Sequence, residues 1–211
     1  MRQNKIELLL LFVLFSFRCE AESFHDLHYT TEEYFPFSYI ENGKLTGIAI
    51  ETLHLVWNQL GVKPQSIEIL PWSRAYHYVQ HKPHTVLFAM ARSKNRVPLF
   101  KWACAITKSH YVLISLKSKQ ITLSQDDKIK KYKIATIRND IAEQILLGKF
   151  GQSSNISTNT TMKPILNMMD RGRVDLFAYD EFAANGMLET LGRNPKDYET
   201  VYSLANSETC F

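Results

Sequence analysis

Short apolar segments alternate with amphipathic helical patterns along this chain, and that alternation constrains the fold more than any other feature of the sequence. In the first half, Leu53, Trp57 and Leu60 recur at helical spacing, and Gly61 then supplies a helix stop. The elements predicted there are a strand at 27–30, a helix at 50–60, a strand at 66–70, a helix that opens at Pro71 and a strand at 85–90. This order predicts a mostly parallel sheet with helices on both faces.

The alternation restarts after a polar segment at 117–131, where a domain boundary is expected. The elements predicted beyond it are strands at 133–137, 156–158, 174–178 and 200–204 and helices at 141–149, 162–170 and 181–191. Two α/β lobes in series are therefore predicted. Ligands bind outside the carboxyl ends of strands in open α/β sheets, so two facing lobes form a cleft that a hinge motion can close.

The N-terminus has the pattern of a secretory signal peptide. A positive start precedes the apolar run Leu8–Phe17, which holds about ten residues, whereas a membrane-spanning helix needs roughly twenty. Cys19 and Ala21 give the small-x-small pattern of a cleavage site. We therefore expect residues 1–21 to be removed and the mature chain to reside in a bacterial periplasm.

The mature chain is expected to be only mildly basic. The full sequence has a formal net charge of +4, and removal of the signal peptide lowers this to +3. Basic and acidic residues are interleaved, so the sequence predicts neither a nucleic acid nor an anionic membrane as a partner. Cys104 and Cys210 remain, and in an oxidising compartment they can pair if they lie close together. Their spacing does not predict a zinc site, and no cofactor is expected.

Seven segments, in the order that the family has them, resemble solute-binding protein family 3, the periplasmic receptors of polar amino acid ABC transporters. They are YFPFS at 34–38, NGKLTG at 42–47, LPWSRA at 70–75, ARSKNR at 91–96, FKW at 100–102, RGRVDL at 171–176 and YDE at 179–181. The resemblance implies a two-lobed α/β fold of the periplasmic binding protein-like kind (type II). It also implies a monomer without enzymatic activity that binds a small polar solute, an amino acid first, and delivers it to a membrane permease.

The resemblance also implies where the lobes begin and end. Residues 22–110 are expected to form the first lobe, 111–116 a hinge strand and 117–205 the second lobe. Residues 206–211 would begin the return hinge, and the segment with which relatives cover the first lobe has no counterpart after them. We therefore expect exposed apolar surface and reduced stability or aggregation, and a truncated, non-functional remnant stays an alternative.

For an amino acid ligand, the resemblance assigns the carboxylate to Arg96, because a guanidinium offers a carboxylate two parallel donors. The backbone amide of Ala91 is expected to assist, although many relatives carry a hydroxyl residue at that position. Asp180 is the candidate for the ligand's ammonium, and it can also cap the helix that follows. Both partners are needed, since a buried charge without one is costly.

Four further residues are candidates for ligand binding, and each could instead have a purely structural role. Tyr34 and Trp72 resemble the aromatic positions that sandwich the ligand's side chain, with core packing as the alternative. Arg74 could add a second cation near the cleft or be a solvated helix residue. Asp140 could contact the ligand from the second lobe, but capping of the helix that starts beside it is the favoured role.

Two other interpretations stay open. Some proteins of this fold are periplasmic dehydratases that act on prephenate or arogenate through a carboxylic acid in the cleft, and Glu181 and Glu143 are the acids that could serve here. His77 and His81 are spaced to share a helix face and could begin a metal site with His84. No cysteine or clear carboxylate completes that set, so exposed helix histidines are favoured.

Overall fold

The computed structural model describes residues 27–124, 129–151 and 155–211. Its strands are β1 (His28–Thr31), β2 (Tyr39–Glu41), β3 (Lys44–Thr46), β4 (Ile67–Ile69), β5 (Thr85–Leu87), β6 (Met90–Arg92), β7 (Thr107–Leu116), β8 (Ile134–Ile137), β9 (Ile156–Asn159), β10 (Leu176–Asp180) and β11 (Tyr198–Cys210). Its helices are α1 (Ile48–Gln59), α2 (Trp72–His81), α3 (Ile141–Phe150), α4 (Met162–Asp170) and α5 (Glu181–Thr190). No helix in the described ranges is long and apolar enough to cross a membrane. The predicted signal peptide at 1–21 lies outside them.

The first sheet is parallel and has the strand order β4-β1-β5. Helices α1 and α2 bury Trp57 and Trp72, and the Trp57 indole N–H donates to the Tyr29 hydroxyl on β1 at 3.2 Å. Because β1 is the central strand, the residues that follow it emerge at the middle of the sheet's carboxyl edge. Glu32 therefore lies close to Trp72 at the start of α2, where both line the same cavities.

The second sheet has six strands in the order β6-β11-β7-β10-β8-β9. Strands β10, β8 and β9 are parallel, as the alternation predicts, whereas β7 runs antiparallel to β10 and β11, and β11 antiparallel to β6. The antiparallel part of the sheet is built around β7 and β11, the two longest strands, which pair along most of their length. Since β6 belongs to the first half of the chain, these strands connect the two halves.

All five predicted helices are present, but three predicted strands have other bounds. The strand predicted at 85–90 is divided into β5 and β6, because Ala89 has a φ of 60° and interrupts the extended backbone. The strand predicted at 174–178 lies at Leu176–Asp180. The strand predicted at 200–204 continues to Cys210, because its polar final residues form ladders with β7 and β6. The exact lobe boundaries stay predictions.

Cys104 and Cys210 form a disulfide across a sequence separation of 106 residues. It joins the segment before β7 to the end of β11, where the backbones of Ala103 and Phe211 exchange hydrogen bonds of 3.0 and 2.9 Å. The Phe211 ring also packs on Phe88, with centroids 5.6 Å apart. The end of β11 is thus bonded covalently and by hydrogen bonds to the segment before β7, and Phe211 packs against the connection between β5 and β6.

Replacing both cysteines by serine is expected to lower the free energy of unfolding by about 2–4 kcal/mol, because a disulfide restricts the unfolded chain. Urea unfolding followed by tryptophan fluorescence measures the change. A reductant should destabilise the wild-type protein and leave the double variant unaffected. Equal unfolding midpoints for the two oxidised proteins would contradict a stabilising bridge.

Candidate functional site

Two adjoining cavities lie at the carboxyl ends of β1, β4, β8 and β10. The polar and aromatic side chains of the inner cavity are Glu32, Tyr34, Trp72, Tyr111, Asp140 and Tyr179. The outer cavity has a volume of about 330 Å³ and shares Glu32, Trp72, Ile137 and Tyr179 with the inner one. The position is the one at which open α/β sheets bind ligands.

The polar side chains of the inner cavity lie where strands end or helices begin. Glu32 directly follows β1, and its backbone carbonyl accepts a hydrogen bond of 2.7 Å from the Ser38 hydroxyl, which fixes the turn. Trp72 begins α2 shortly after β4. Asp140 lies between β8 and α3 and caps that helix, because its carboxylate accepts from the Ile141 amide at 2.6 Å. Strand ends and helix starts therefore supply the polar wall.

Arg96 lies beside the inner cavity, with 1% of its surface exposed. One terminal nitrogen donates to the Ala91 carbonyl at 3.1 Å and the other to the Asn139 carbonyl at 3.0 Å. Its guanidinium carbon lies 4.8 Å from the Trp72 ring centroid and 5.0 Å from the Tyr76 centroid, both within cation–π range. Its Nε has no hydrogen-bond partner among the described residues. The predicted carboxylate-binding residue thus lies at the site, and each of its terminal nitrogens keeps a second N–H group beside the one that donates to the backbone.

Burial raises the pKa of both carboxylic acids that line the inner cavity. For Glu32 the charge of Asp140 adds to the effect of burial on the pKa, and Arg96 opposes it. For Asp140 burial raises the pKa, while Arg96 and the amides of Ile141 and Ala142 oppose the shift. Both residues are half-buried and line the cavity. A positively charged ligand would favour the ionised form of both acids.

Asp180 ends β10 and is fully buried. Its Oδ1 accepts from the Ala183 amide at 3.0 Å and caps α5, whereas Oδ2 has no hydrogen-bond partner in the described part of the chain. Burial raises the pKa of Asp180, while the Ala183 amide and the Ser109 hydroxyl, which itself bonds to Thr209 at 2.7 Å, favour the ionised form. Asp180 is paired with Tyr111 in the β7–β10 ladder, so both side chains lie on the same face. Asp180 itself lines neither cavity, and Tyr111, its partner in the ladder, lines the inner one.

Three tyrosines provide neutral hydroxyl groups. Burial raises the pKa of Tyr34, Tyr111 and Tyr179, so all three stay protonated over the physiological range. The Tyr34 ring meets Tyr179 edge-on, with centroids 5.9 Å apart. Protonated hydroxyls can both donate and accept hydrogen bonds, and the ring faces can contact a cation.

The outer cavity is more apolar. Phe35, Leu70, Met162 and Met187 contribute to its wall, and Glu33 and Lys163 add one charge of each sign. Gly186 on α5 allows Phe35 to approach closely, because a Cβ at that glycine would lie 1.8 Å from the Phe35 ring. The outer cavity therefore suits the apolar part of a ligand.

Four of the seven predicted ligand-binding residues line the inner cavity, namely Tyr34, Trp72, Ala91 and Asp140. Arg96 and Asp180 line neither cavity but are neighbours of lining residues, because Arg96 donates to the Ala91 carbonyl and Asp180 pairs with Tyr111. Arg74 is exposed on α2 and lines neither cavity. Asp140 and Asp180 both cap helices, so the capping roles considered for them are present, and their contact with a ligand stays a prediction.

Sequence reasoning missed Glu32, Tyr111 and Tyr179. Glu32 directly follows the first predicted strand, so the rule that ligands bind at the carboxyl ends of strands could have identified it. Tyr111 and Tyr179 lie within apolar strand patterns, where an aromatic side chain usually belongs to the core. Only the pairing of β7 with β10 places them beside the cavity.

The acids considered for a dehydratase lie outside both cavities. Glu181 accepts from the Thr200 hydroxyl at 2.7 Å and pairs with His110 at 2.8 Å. The Thr200 hydrogen bond lowers the pKa of Glu181, which disfavours it as a proton donor. Glu143 accepts from a backbone amide at the start of α3.

Potential metal ligands offer little support for a metal site. His77 and His81 stack on α2 with ring centroids 4.2 Å apart. Among the described residues, the group of three possible ligands that lies close together is Cys104, Glu208 and Cys210. Its cysteines form the disulfide, so neither offers a thiolate.

Replacing Asp140 by asparagine is expected to stabilise the unliganded protein at neutral pH. Asparagine caps a helix about as well as aspartate, and it removes a carboxylate whose pKa is raised by folding. Such a carboxylate destabilises the fold as the pH rises through its folded pKa, and has no effect below its unfolded pKa of about 3.9. Thermal unfolding should therefore show a higher Tm for the variant at neutral pH and a difference that shrinks toward about pH 4. A pH-independent difference would contradict this origin.

Solved structures of low sequence identity share this fold. A histidine kinase sensor domain with similarity to periplasmic binding proteins has a TM-score of 0.76 at 15% identity, over 88% of this chain and 81% of that chain. An ABC uptake transporter substrate-binding protein from Streptococcus pneumoniae, with bound histidine, has a TM-score of 0.73 at 15% identity, over 88% and 78% of the two chains. The arginine-, lysine-, histidine-binding protein ArtJ from Geobacillus stearothermophilus has a TM-score of 0.66 at 14% identity, over 86% and 82%. The predicted two-lobed, periplasmic binding protein-like fold is confirmed.

A comparison with curated protein sequences finds no match. The sequence model of the bacterial extracellular solute-binding proteins, family 3, matches residues 28–145, which is more than half of the chain. The matched range contains Glu32, Trp72, Arg96 and Asp140 of the site. This chain therefore belongs to the bacterial extracellular solute-binding proteins, family 3.

Proposed function

We propose that this protein is a receptor that captures a small polar solute between its lobes, with an amino acid as the expected class. The observation that carries this proposal is Asp180, a fully buried carboxylate whose Oδ2 has no partner within the described residues. A buried charge without a partner is costly, and an ammonium group on a ligand would supply one.

The two cavities suit a ligand that has a charged head group at one end and an apolar group at the other. The inner cavity offers carboxylates, neutral tyrosine hydroxyls and the Trp72 ring, which suit a charged head group. The outer cavity offers Phe35, Leu70 and Met187, which suit a side chain of apolar character. Small-molecule sites typically combine an apolar wall with a few placed polar groups.

The membership in a solute-binding family supports the general role, and the compared proteins suggest the ligand class. The Streptococcus pneumoniae protein was solved with histidine, and ArtJ is described as binding arginine, lysine and histidine. We extend from these proteins to an amino acid as the first class of ligand to test here.

We further propose that the protein works in ABC-type uptake. The N-terminal pattern at 1–21 predicts export, which would place the mature chain in the periplasm. A monomer with lobes at 22–110 and 117–205 would close on its solute and meet a membrane permease.

An enzymatic alternative would use the same cleft. A dehydratase needs a carboxylic acid that stays protonated near neutral pH, and burial raises the pKa of Glu32 and Asp140 in this direction. Turnover of prephenate or arogenate by the purified protein would support this alternative. Solute binding without turnover would favour the receptor.

Replacing Asp180 by asparagine is expected to weaken binding of an ammonium-bearing ligand by about thirtyfold or more, because loss of a buried charge partner costs about 2 kcal/mol or more. Asparagine can still cap α5, so the fold should persist. A thermal-shift screen of the common amino acids, followed by calorimetric titration of any that raise Tm, measures the effect. Glu189→Gln removes one exposed charge from the same helix and should bind as the wild type does. Undiminished binding by the Asp180 variant would reject its role.

A further inference from the structure

Glu181, His110 and Ser203 form a hydrogen-bonded row on the second sheet, here called the surface triad. The Glu181 carboxylate lies 2.8 Å from Nδ1 of His110, and Nε2 of the same ring lies 2.7 Å from the Ser203 hydroxyl oxygen. His110 precedes Tyr111 in β7, and adjacent residues of a strand lie on opposite faces. Because Tyr111 lines the inner cavity, the surface triad lies on the other face of the sheet, and its members line neither cavity of the cleft.

The partners of His110 determine the role of each ring nitrogen. An ionised carboxylate only accepts hydrogen bonds, so Nδ1 carries the proton that is donated to Glu181. In the neutral ring Nε2 is then an acceptor, and the Ser203 hydroxyl donates to it. Hydrogen bonds from Thr200 and His110 lower the pKa of Glu181, so it is ionised at neutral pH. An acid, an imidazole and a serine hydroxyl in this order are the arrangement that activates a nucleophile.

Three packed elements hold the surface triad together. His110 lies on β7, Ser203 on β11, and Glu181 is the first residue of α5. Ser203 is paired with Val112, which lies two residues from His110 and therefore on the same face of β7. The β7–β11 ladder thus brings the serine beside the imidazole, across 93 residues of sequence.

The surface triad is accessible to solutes. Ser203 is exposed, and the side chain of His110 is partly exposed. His110 and Asn206 contribute to the wall of a surface cavity of about 610 Å³. Asn206 is paired with His110 in the ladder, so its side-chain amide lies on the same face and can donate to an oxygen that gains negative charge. A small acyl compound can therefore reach Ser203 without entering the cleft.

We propose that the surface triad is a catalytic site, separate from the proposed receptor site, in which Ser203 hydrolyses small carboxylic esters. The Ser203 oxygen bonds to the ester's carbonyl carbon while its proton passes to Nε2 of His110. His110 gives this proton to the leaving oxygen as the ester C–O bond breaks, so an alcohol departs and Ser203 is acylated. Water then attacks the acyl carbon and gives a proton to His110, which returns it to Ser203 as the carboxylic acid leaves. Glu181 orients the ring and is a positioning residue.

The ester p-nitrophenyl acetate and a fluorophosphonate probe test the role of Ser203. The full chain should hydrolyse the ester, and Ser203→Ala should lower the rate about a hundredfold or more. The probe should transfer its phosphonyl group to Ser203 with loss of fluoride, and peptide mass spectrometry locates the label. Ser207→Ala is the matched control, because the Ser207 hydroxyl donates to the Arg92 carbonyl at 3.0 Å, and it should hydrolyse the ester as the wild type does.

Two further variants separate the roles of the other residues. His110→Ala should lose both hydrolysis and labelling, since the serine then has no base. Glu181→Gln should lower kcat about tenfold or more and leave KM unchanged, because Glu181 contacts His110 and not the substrate. The melting temperature of each variant verifies folding before the assay.

Three results would overturn the inference. They are a wild-type protein that neither hydrolyses the ester nor takes the label, a label on another residue, and hydrolysis that survives in Ser203→Ala, which would show direct attack by an imidazole or a contaminant. Ser203→Ala should bind solutes in the cleft as the wild type does, because Ser203 lines neither cavity there. Solute binding and ester hydrolysis can therefore fail or succeed independently.

Discussion

The shape of the cleft depends on the buried guanidinium of Arg96. It joins the carbonyl of Ala91 on β6 to the carbonyl of Asn139 beyond β8, so it connects strand ends from the two halves of the chain. A buried arginine without acceptors would be strongly destabilising, but two carbonyls and two aromatic rings satisfy most of its surface here. Ala91 and Asp140, the residue after Asn139, both line the inner cavity, so these contacts join two parts of its wall.

Asp140 and Asp180 combine a structural and a chemical role. Asp140 lies after β8 and Asp180 ends β10, and each caps the next helix, so one carboxylate oxygen accepts from a backbone amide near the helix start. Asp140 also lines the inner cavity, and Asp180 pairs with Tyr111, which lines it too. In a parallel sheet the carboxyl ends of the strands lie at one edge, so capping residues of successive units gather at one place. Capping and ligand binding are therefore not exclusive interpretations of these aspartates.

Local patterns in the sequence predict the helices, the parallel strands and most residues of the cleft, because periodicity and caps depend on near neighbours. Arg96 and Asp180 could be identified from the segments around them. The acceptors of Arg96 could not, since Asn139 is brought to it by the packing of distant strands. The full length of β11 could not be predicted from the sequence either, because its polar final residues become part of a strand only by pairing with β7 and β6. Tyr111 and Tyr179 look like core residues until that pairing is known.

The fold and the chemistry of the site vary independently in such proteins. Structures at 14–15% identity share the fold with TM-scores of 0.66 to 0.76, so most positions can change without loss of the architecture. A helix cap accepts serine, threonine, asparagine or aspartate at similar cost to the fold. A substitution at a cap such as Asp140 therefore changes the charge of the cleft while the helix and the strands keep their places. Ligand class can diverge at these positions faster than the fold, which makes the caps more informative about specificity than the core.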